Sequence, residues 1–132
     1  METETSGDQI NKKVDIDKIA HEFTYYFYDK WQNNPNELFS SNIFKNHSRI
    51  KYKNIVYQGE NLLNFIYSIH NDQVKFELTD IQNLDSGARR ADILVVGKIH
   101  NSKQNIIYNF SQYFTIAHLK DYWFIHNSLF TI

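Results

Sequence analysis

Five basic side chains occupy alternate positions in one stretch of the chain, and this is the first pattern that could perform a specific chemistry. Alternate residues of a β-strand lie on the same face, so a strand here would present all five together. Such a row suits a phosphate backbone or an acidic protein surface. Cations on an exposed edge strand also prevent edge-to-edge aggregation, which is the simpler interpretation. This basic row consists of Lys45, His47, Arg49, Lys51 and Lys53.

The six histidines raise the question of acid–base catalysis. A general base must lie within hydrogen-bond reach of the proton it removes, inside a pocket. His126 is the best candidate, with Asp80 and Tyr26 as possible neighbours. A single histidine among apolar residues is more often structural, and the sequence contains no catalytic serine set, phosphate loop or metal-ligand spacing. We therefore predict no enzyme activity, no cofactor and no metal site.

Length and composition limit the remaining possibilities. The 132 residues predict one domain, and the formal net charge of -1 means that any attraction to nucleic acid must come from a local patch. The chain has no cysteine, which excludes a disulfide framework, a thiolate zinc site and a cysteine nucleophile. Because no apolar signal segment or membrane-length apolar run is present, we expect a soluble intracellular protein.

The elements that would position these residues follow from periodicity. Residues 1–13 are polar and are predicted to form a flexible segment, which leaves 14–132 as the folded domain. Apolar residues then recur every three or four positions, which predicts a helix capped by Asp15. A short second helix is predicted at 35–39, and a third helix begins after Gly59.

The second half of the chain reads as strands. One strand is predicted at 48–57, before the third helix, and four antiparallel strands follow it to the end of the chain. Helices followed by strands indicate an α+β domain with the helices on one face of the sheet. The other face keeps aromatic and aliphatic side chains, so we expect a partner to cover it.

Five segments resemble the nuclear transport factor 2 family in their order and spacing. They are residues 19–31, 56–66, 74–84, 93–116 and 122–132. The resemblance implies a cystatin-like α+β fold, in which three N-terminal helices wrap a cone-shaped, bent antiparallel sheet. It also implies dimers that form through the sheet face.

Within this family the chain is most similar to the small subunit of the heterodimeric messenger-RNA export receptor. The similarity lies in Lys103 and Gln104, followed by the aromatic pattern of 110–114. In that subunit an aspartate at the position of Asp80 pairs with an arginine of the larger subunit. The family's importer of the Ran GTPase instead uses a carboxylate where this chain has Lys53, and carboxylates in a hairpin loop that has none here. A cation facing the basic surface of Ran would be repelled.

The resemblance therefore implies a non-enzymatic transport adaptor. It would act in the nucleus, at the nuclear pore and in the cytoplasm, paired with a larger subunit of the same fold and docked on phenylalanine-glycine nucleoporins. RNA contact through the basic row is possible, and no membrane contact is expected. Alternatives are a homodimeric Ran-GDP import factor, a cavity isomerase or dehydratase, and a stress-granule-type scaffold. The predicted partner interface comprises Asp80, Tyr108, Phe110, Gln112, Phe114, Tyr122, Trp123 and Phe124.

Overall fold

The computed structural model describes residues 15–87 and 89–132, so the predicted flexible segment 1–13 lies outside the described residues. Within the described part, three helices and six strands follow one another along the chain. The helices are α1 (Ile16–Asn33), α2 (Asn36–Ser40) and α3 (Glu60–His70). The strands are β1 (Phe44–Tyr52), β2 (Ile55–Gln58), β3 (Val74–Asp85), β4 (Arg90–Asn101), β5 (Ile106–Leu119) and β6 (Tyr122–Thr131).

Helix α1 forms because its apolar residues lie on one side and its first turn is capped. The side chain of Asp15 accepts a hydrogen bond from the Lys18 backbone amide at 3.2 Å, as predicted. The buried stripe contacts the inner face of the sheet, where Trp31 is fully buried and its indole N–H donates to the Ile66 carbonyl oxygen at 2.9 Å. This stripe consists of Ala20, Phe23, Thr24, Phe27, Tyr28 and Trp31.

The six strands form one sheet in the order β2-β1-β6-β5-β4-β3. Neighbouring strands are antiparallel except for β1 and β6, which run parallel. In this pair the sheet differs from the antiparallel sheet that the sequence predicted. The strand predicted at 48–57 is a hairpin of two strands. Lys53 and Asn54 form its turn with positive φ angles of 51° and 67°. Such left-handed conformations at both central residues are typical of a tight hairpin turn.

Aromatic rings fill the inner side of the sheet, beneath α1 and α3. Phe114 lies edge-on to Phe27 with ring centroids 5.2 Å apart, and Trp31 lies 4.9 Å from Phe76 and 5.5 Å from Phe130. Edge-to-face and tilted pairs at these distances add stabilisation beyond simple burial. Packed aromatic rings therefore form much of the core between the helices and the sheet.

These elements confirm the predicted α+β fold, with helices on one side of a bent sheet that does not close on itself. None of the helices described, α1 included, is both long and apolar enough to span a membrane.

Candidate protein-binding face

The face of the sheet that points away from the helices carries large apolar side chains that stay exposed. Along β4 the odd-numbered residues are buried against the helices, whereas Leu94 and Val96 point outward and remain 40% and 38% exposed. Tyr113 of β5 is 42% exposed on the same side. A patch of this kind, crossing several strands, is typical of a surface that binds another protein. Its members, which we call the exposed face, are Val56, Leu84, Leu94, Val96, Tyr113 and Leu129.

Tyr113 lies at the middle of this face, between two shallow depressions. One depression of about 400 Å³ is lined on the β1–β6 side by Arg49, Lys51, Val56 and Leu129, among others. A second depression of about 330 Å³ is lined on the β3–β4 side, and Tyr113 contributes to both. An exposed aromatic ring between two concave regions is the arrangement that most often dominates binding energy at an interface. The second depression is lined by Gln82, Asn83, Leu84, Asp92, Leu94 and Tyr113.

A carboxylate lies near the Tyr113 hydroxyl. Burial raises the pKa of Tyr113, and the nearby Asp92 raises it further. Thr115 donates a hydrogen bond to Asp92 at 2.9 Å and so holds this carboxylate in place. Tyr113 therefore stays neutral at physiological pH.

Charged side chains border the apolar part of the exposed face. Arg49 and Lys51 make its β1 side basic, whereas its β3–β4 side carries both signs, with Asp80 and Asp92 beside Arg90. A partner that presents carboxylates to the β1 side would match it, and such matching directs both orientation and association rate.

Three residues of the predicted interface lie in the core instead. Phe110, Gln112 and Phe114 are 3%, 0% and 0% exposed, because the even-numbered residues of β5 point toward the helices. Gln112 accepts a hydrogen bond from the Tyr28 hydroxyl at 2.5 Å and donates to Ser128 at 2.8 Å. These contacts make the three residues structural, so the prediction that they face a partner is wrong.

Asp80 does lie on the exposed side, but not for the reason inferred from the sequence. Simple alternation would place it with Val74, Phe76 and Leu78. A β-bulge between Leu78 and Asp80 shifts the register, so that Asp80 pairs with Val96 and points outward. Its carboxylate accepts a hydrogen bond from Gln82 at 2.8 Å, and its pairing with a partner arginine stays a prediction.

The other predicted interface residues are dispersed. Tyr108 is half-buried, and its hydroxyl donates to Gln104 at 2.8 Å. Tyr122 and Trp123 line a separate groove of about 410 Å³ on the helix side of the molecule. Phe124 is 8% exposed and lies edge-on to the His47 ring, so it is not available to a partner. The groove is completed by Ile19, Glu22, Phe23, Tyr26, Ser41, Asn42 and Ile43.

Four of the five members of the basic row lie on one face of β1. Alternate residues of β1 from Lys45 to Lys51 share the outward face, whereas Lys53 lies in the hairpin turn with its ammonium 5.2 Å from the Tyr52 ring centroid. Strand β1 is not the edge of the sheet at this point, since β2 pairs with it from Arg49 to Tyr52. Edge protection therefore does not explain Arg49 and Lys51.

His126 lies at the end of the exposed face and not inside the fold. Its ring lies 5.5 Å from that of His47, and neither Asp80 nor Tyr26 is its neighbour: Tyr26 donates to Glu37 on the helix side, while Asp80 accepts from Gln82. Burial lowers the pKa of His126, and the charges of Arg90, His47 and Arg49 lower it further. Within residues 15–87 and 89–132, no three histidine or carboxylate groups are placed to hold a metal ion.

The lowered pKa of His126 predicts a pH dependence of stability. The unfolded chain binds a proton near pH 6.5, whereas the folded chain resists it. Stability should therefore fall as pH decreases through about 6.5 and level off below the folded pKa. Thermal unfolding at about pH 7.5 and 5.5 should show a smaller loss of Tm for His126→Gln than for the unaltered chain. His21→Gln, on the exposed side of α1, is the control and should retain the full loss; an equal loss in His126→Gln would contradict the assignment.

A family model identifies the fold. The model of the nuclear transport factor 2 (NTF2) domain matches residues 19–132. The chain belongs to the NTF2 domain family. The match begins within α1 and includes every strand, so the exposed face described above belongs to the NTF2 domain itself.

Solved structures agree with this NTF2 fold. Nuclear transport factor 2 from Cryptosporidium parvum is 24% identical, with a TM-score of 0.77 over 87% of this chain and 92% of that one. The yeast complex of the deubiquitinase Ubp3 with its cofactor Bre5 contains a chain that is 17% identical, with a TM-score of 0.72 and coverage of 87% and 94%. A putative ketosteroid isomerase from Shewanella frigidimarina is 10% identical, with a TM-score of 0.72 and coverage of 84% and 93%. At these identities the similarity shows the fold alone. No curated protein sequence gave a significant match.

Proposed function

We propose that this NTF2 domain is a non-enzymatic adaptor in nucleocytoplasmic transport, which pairs with a second NTF2-like domain through its exposed face. The observation that carries the proposal is the apolar patch around Tyr113, which the helices leave uncovered. The basic residues on its β1 side favour a partner that presents carboxylates there. The nucleus, the nuclear pore and the cytoplasm are the proposed places of action.

The proposed partner is the larger subunit of a messenger-RNA export receptor. The sequence resemblance to that receptor's small subunit supports this choice. A homodimeric Ran-GDP import factor is the alternative, because a second copy of the exposed face would also supply two carboxylates, Asp80 and Asp92, to the basic β1 side. Lys53 and Lys103 lie near the positions where the importer presents carboxylates, and both would repel the basic surface of Ran.

Two observations support a binding role over catalysis inside the fold. The inner side of the sheet is filled by packed aromatic rings, with Phe114, Trp31 and Tyr28 at most 3% exposed. His126, the best candidate for a general base, lies on the outer side, among cations. A cavity enzyme would need a base facing an internal pocket.

Affinity purification of the full chain from its native cell tests the proposal. We expect one NTF2-like protein to be recovered in equal amount. Size-exclusion chromatography with light scattering of the purified chain alone then separates the two forms of the proposal. A stable homodimer that retains stoichiometric Ran-GDP would support the importer, whereas a lone monomer that captures no NTF2-like chain would contradict both.

The groove lined by Tyr122 and Trp123 is the proposed docking site for phenylalanine-glycine repeats. It is apolar, lies away from the exposed face and is large enough for a phenyl ring. Trp123→Ala should weaken binding of a phenylalanine-glycine peptide at least about tenfold, because truncated aromatic anchors at interfaces commonly cost about 2 kcal/mol. Fluorescence anisotropy with a labelled peptide measures this effect.

Tyr25→Ala is the matched control for the groove. Tyr25 is an exposed aromatic residue of α1 that does not line the groove, and its side chain is 58% exposed. The control variant should bind the peptide normally. Equal weakening by both variants, or by neither, would show that the repeat docks elsewhere.

A further inference from the structure

A cationic cluster lies at one end of the exposed face, and Arg49 is the member of it that also lines the depression beside Tyr113. Residues of three strands meet there, because β6 lies beside β1 and β5 joins β6 to β4. Arg90 begins β4 opposite Ala117, and Ala117 in turn pairs with Phe124 of β6. The cluster, which we call the basic corner, consists of Lys45, His47, Arg49, Arg90 and His126.

The charges of the basic corner are not neutralised by neighbouring carboxylates. Within residues 15–87 and 89–132, every ion pair found between side chains lies elsewhere. Asp92, two residues after Arg90 on β4, accepts a hydrogen bond from Thr115 and is not in any ion pair found among the described residues. Arg49 donates instead to the neutral Asn127 side chain at 2.9 Å. Unpaired cations in one cluster repel one another, which destabilises the fold, and a bound anion would remove this repulsion.

Neighbouring groups hold the cations in place. The Lys45 ammonium lies 4.4 Å from the centroid of the Tyr122 ring, a cation–π contact. His47 packs edge-on against Phe124 and lies beside His126. Ser48, which follows His47, is buried and donates to the Ile125 carbonyl oxygen, so this part of β1 is fixed to β6. The side chains therefore need little rearrangement to bind a ligand.

The donor set favours a phosphate group over a carboxylate. Two guanidinium groups and two imidazole rings offer more N–H donors than the two oxygens of one carboxylate can accept. Arginine forks match the geometry of phosphate oxygens. The row also continues regularly along β1 from Arg49 to Lys51, where alternate side chains are spaced by about 6.7 Å, whereas the strand is irregular between Phe44 and Arg49.

We propose that the basic corner binds the phosphate backbone of single-stranded nucleic acid. Arg90 and His126 hold one phosphate from one side and Arg49 and His47 from the other. Lys45 and Lys51 contact the phosphates before and after it. The sequence alone indicates only the β1 part of this site, because Arg90 and His126 join it through the sheet register.

Protonation of the two histidines should strengthen this contact. The charged groups that face His126 are His47 and Arg49 on β1 and Arg90 on β4. The β5 residues between them, Thr115 and Ala117, carry no charge. An anion in the corner would offset the repulsion that now disfavours a proton on His126, so affinity should rise as pH falls.

Fluorescence anisotropy of a labelled, mixed-sequence single-stranded RNA with the purified full chain tests this proposal. The logarithm of affinity should fall with the logarithm of salt concentration by about 0.7 for each phosphate contact. Arg90→Gln should weaken binding several-fold and reduce this slope by about 0.7. Lys98→Gln is the matched control, since Lys98 is an exposed residue on the same face of β4 at the other end, and it should bind as the unaltered chain does.

A second pair of measurements separates this ligand from others. Affinity should rise between about pH 7.5 and 5.5 in the unaltered chain, and this rise should be lost in the variant with His47→Gln and His126→Gln. Poly-glutamate should compete poorly with the RNA. Equal losses for Arg90→Gln and Lys98→Gln, or preference for poly-glutamate, would overturn the proposal. Co-purification of each variant with the partner, or light scattering for a homodimer, reports pairing separately, so failure of RNA binding would not be confused with failure of the dimer.

Discussion

Replacing Tyr113 by alanine is expected to abolish pairing of this NTF2 domain with its partner at micromolar concentrations. The ring lies at the centre of the exposed face and borders both depressions. Central aromatic residues of interfaces commonly contribute about 2–4 kcal/mol, so the dissociation constant should rise at least about thirtyfold. Co-purification with the partner, or light scattering for a homodimer, measures the change.

Ile107→Ala is the control for Tyr113→Ala. Ile107 is 60% exposed on the same strand, six residues away, and does not line either depression. The control variant should pair normally, and both variants should keep the far-ultraviolet circular dichroism of the unaltered chain. Normal pairing by Tyr113→Ala would show that the exposed face is not the partner-binding surface.

Replacing Gly97 by alanine is expected to destabilise the fold by about 3 kcal/mol or more, since overpacking in a closely packed core costs this much when the surroundings cannot move. An added Cβ would lie 2.2 Å from the Glu77 carbonyl oxygen and 2.9 Å from a ring carbon of Phe110. The carbonyl belongs to the backbone of the adjoining strand β3. It cannot retreat without breaking the pairing of β3 with β4.

Urea unfolding followed by tryptophan fluorescence measures the effect of Gly97→Ala. Val96→Ala is the control, because Val96 is the next residue of the strand and its side chain points into solvent. We expect a loss of under about 1 kcal/mol for that variant. Equal stability of the two variants would mean that the close approach of β3 to Gly97 relaxes at little cost.

Gly97 and the β-bulge are linked. Gly97 pairs with Leu78, the last residue before the register shift that turns Asp80 outward. Distortion at Gly97 would therefore move a carboxylate of the exposed face. Glycine at this position allows the two strands to approach where the bulge begins.

The sequence predicted the fold class and the existence of an uncovered sheet face, but not which residues form that face. Periodicity placed α1 correctly, because Phe23, Phe27 and Trp31 define a single stripe. On β5 the even-numbered set holds Tyr108, Phe110 and Phe114, whereas Tyr113 is the one aromatic residue of the odd-numbered set, but alternation alone does not say which set faces the helices. The position of the helices decides which set is buried, since Phe114 contacts Phe27 of α1 and therefore lies in the core.

Local irregularities of the backbone explain the other differences between the predicted and the observed structure. The bulge after Leu78 reverses the face of Asp80, and no composition signal marks it. The turn at Lys53 and Asn54 lacks glycine, so the hairpin resembled one continuous strand. The basic corner depends on Arg90 and His126 meeting β1 across the sheet, and this neighbourhood follows only from the strand order.

The parallel pairing of β1 with β6 also has a consequence for synthesis of the protein. Arg49 pairs with Asn127, and Ser48 bonds to Ile125 across 77 positions of the chain. Contacts between residues this far apart in the sequence form slowly during folding. On the ribosome, β1 cannot pair with β6 until β6 has been synthesised. During this time the charges of the basic row would keep the nascent chain from premature aggregation.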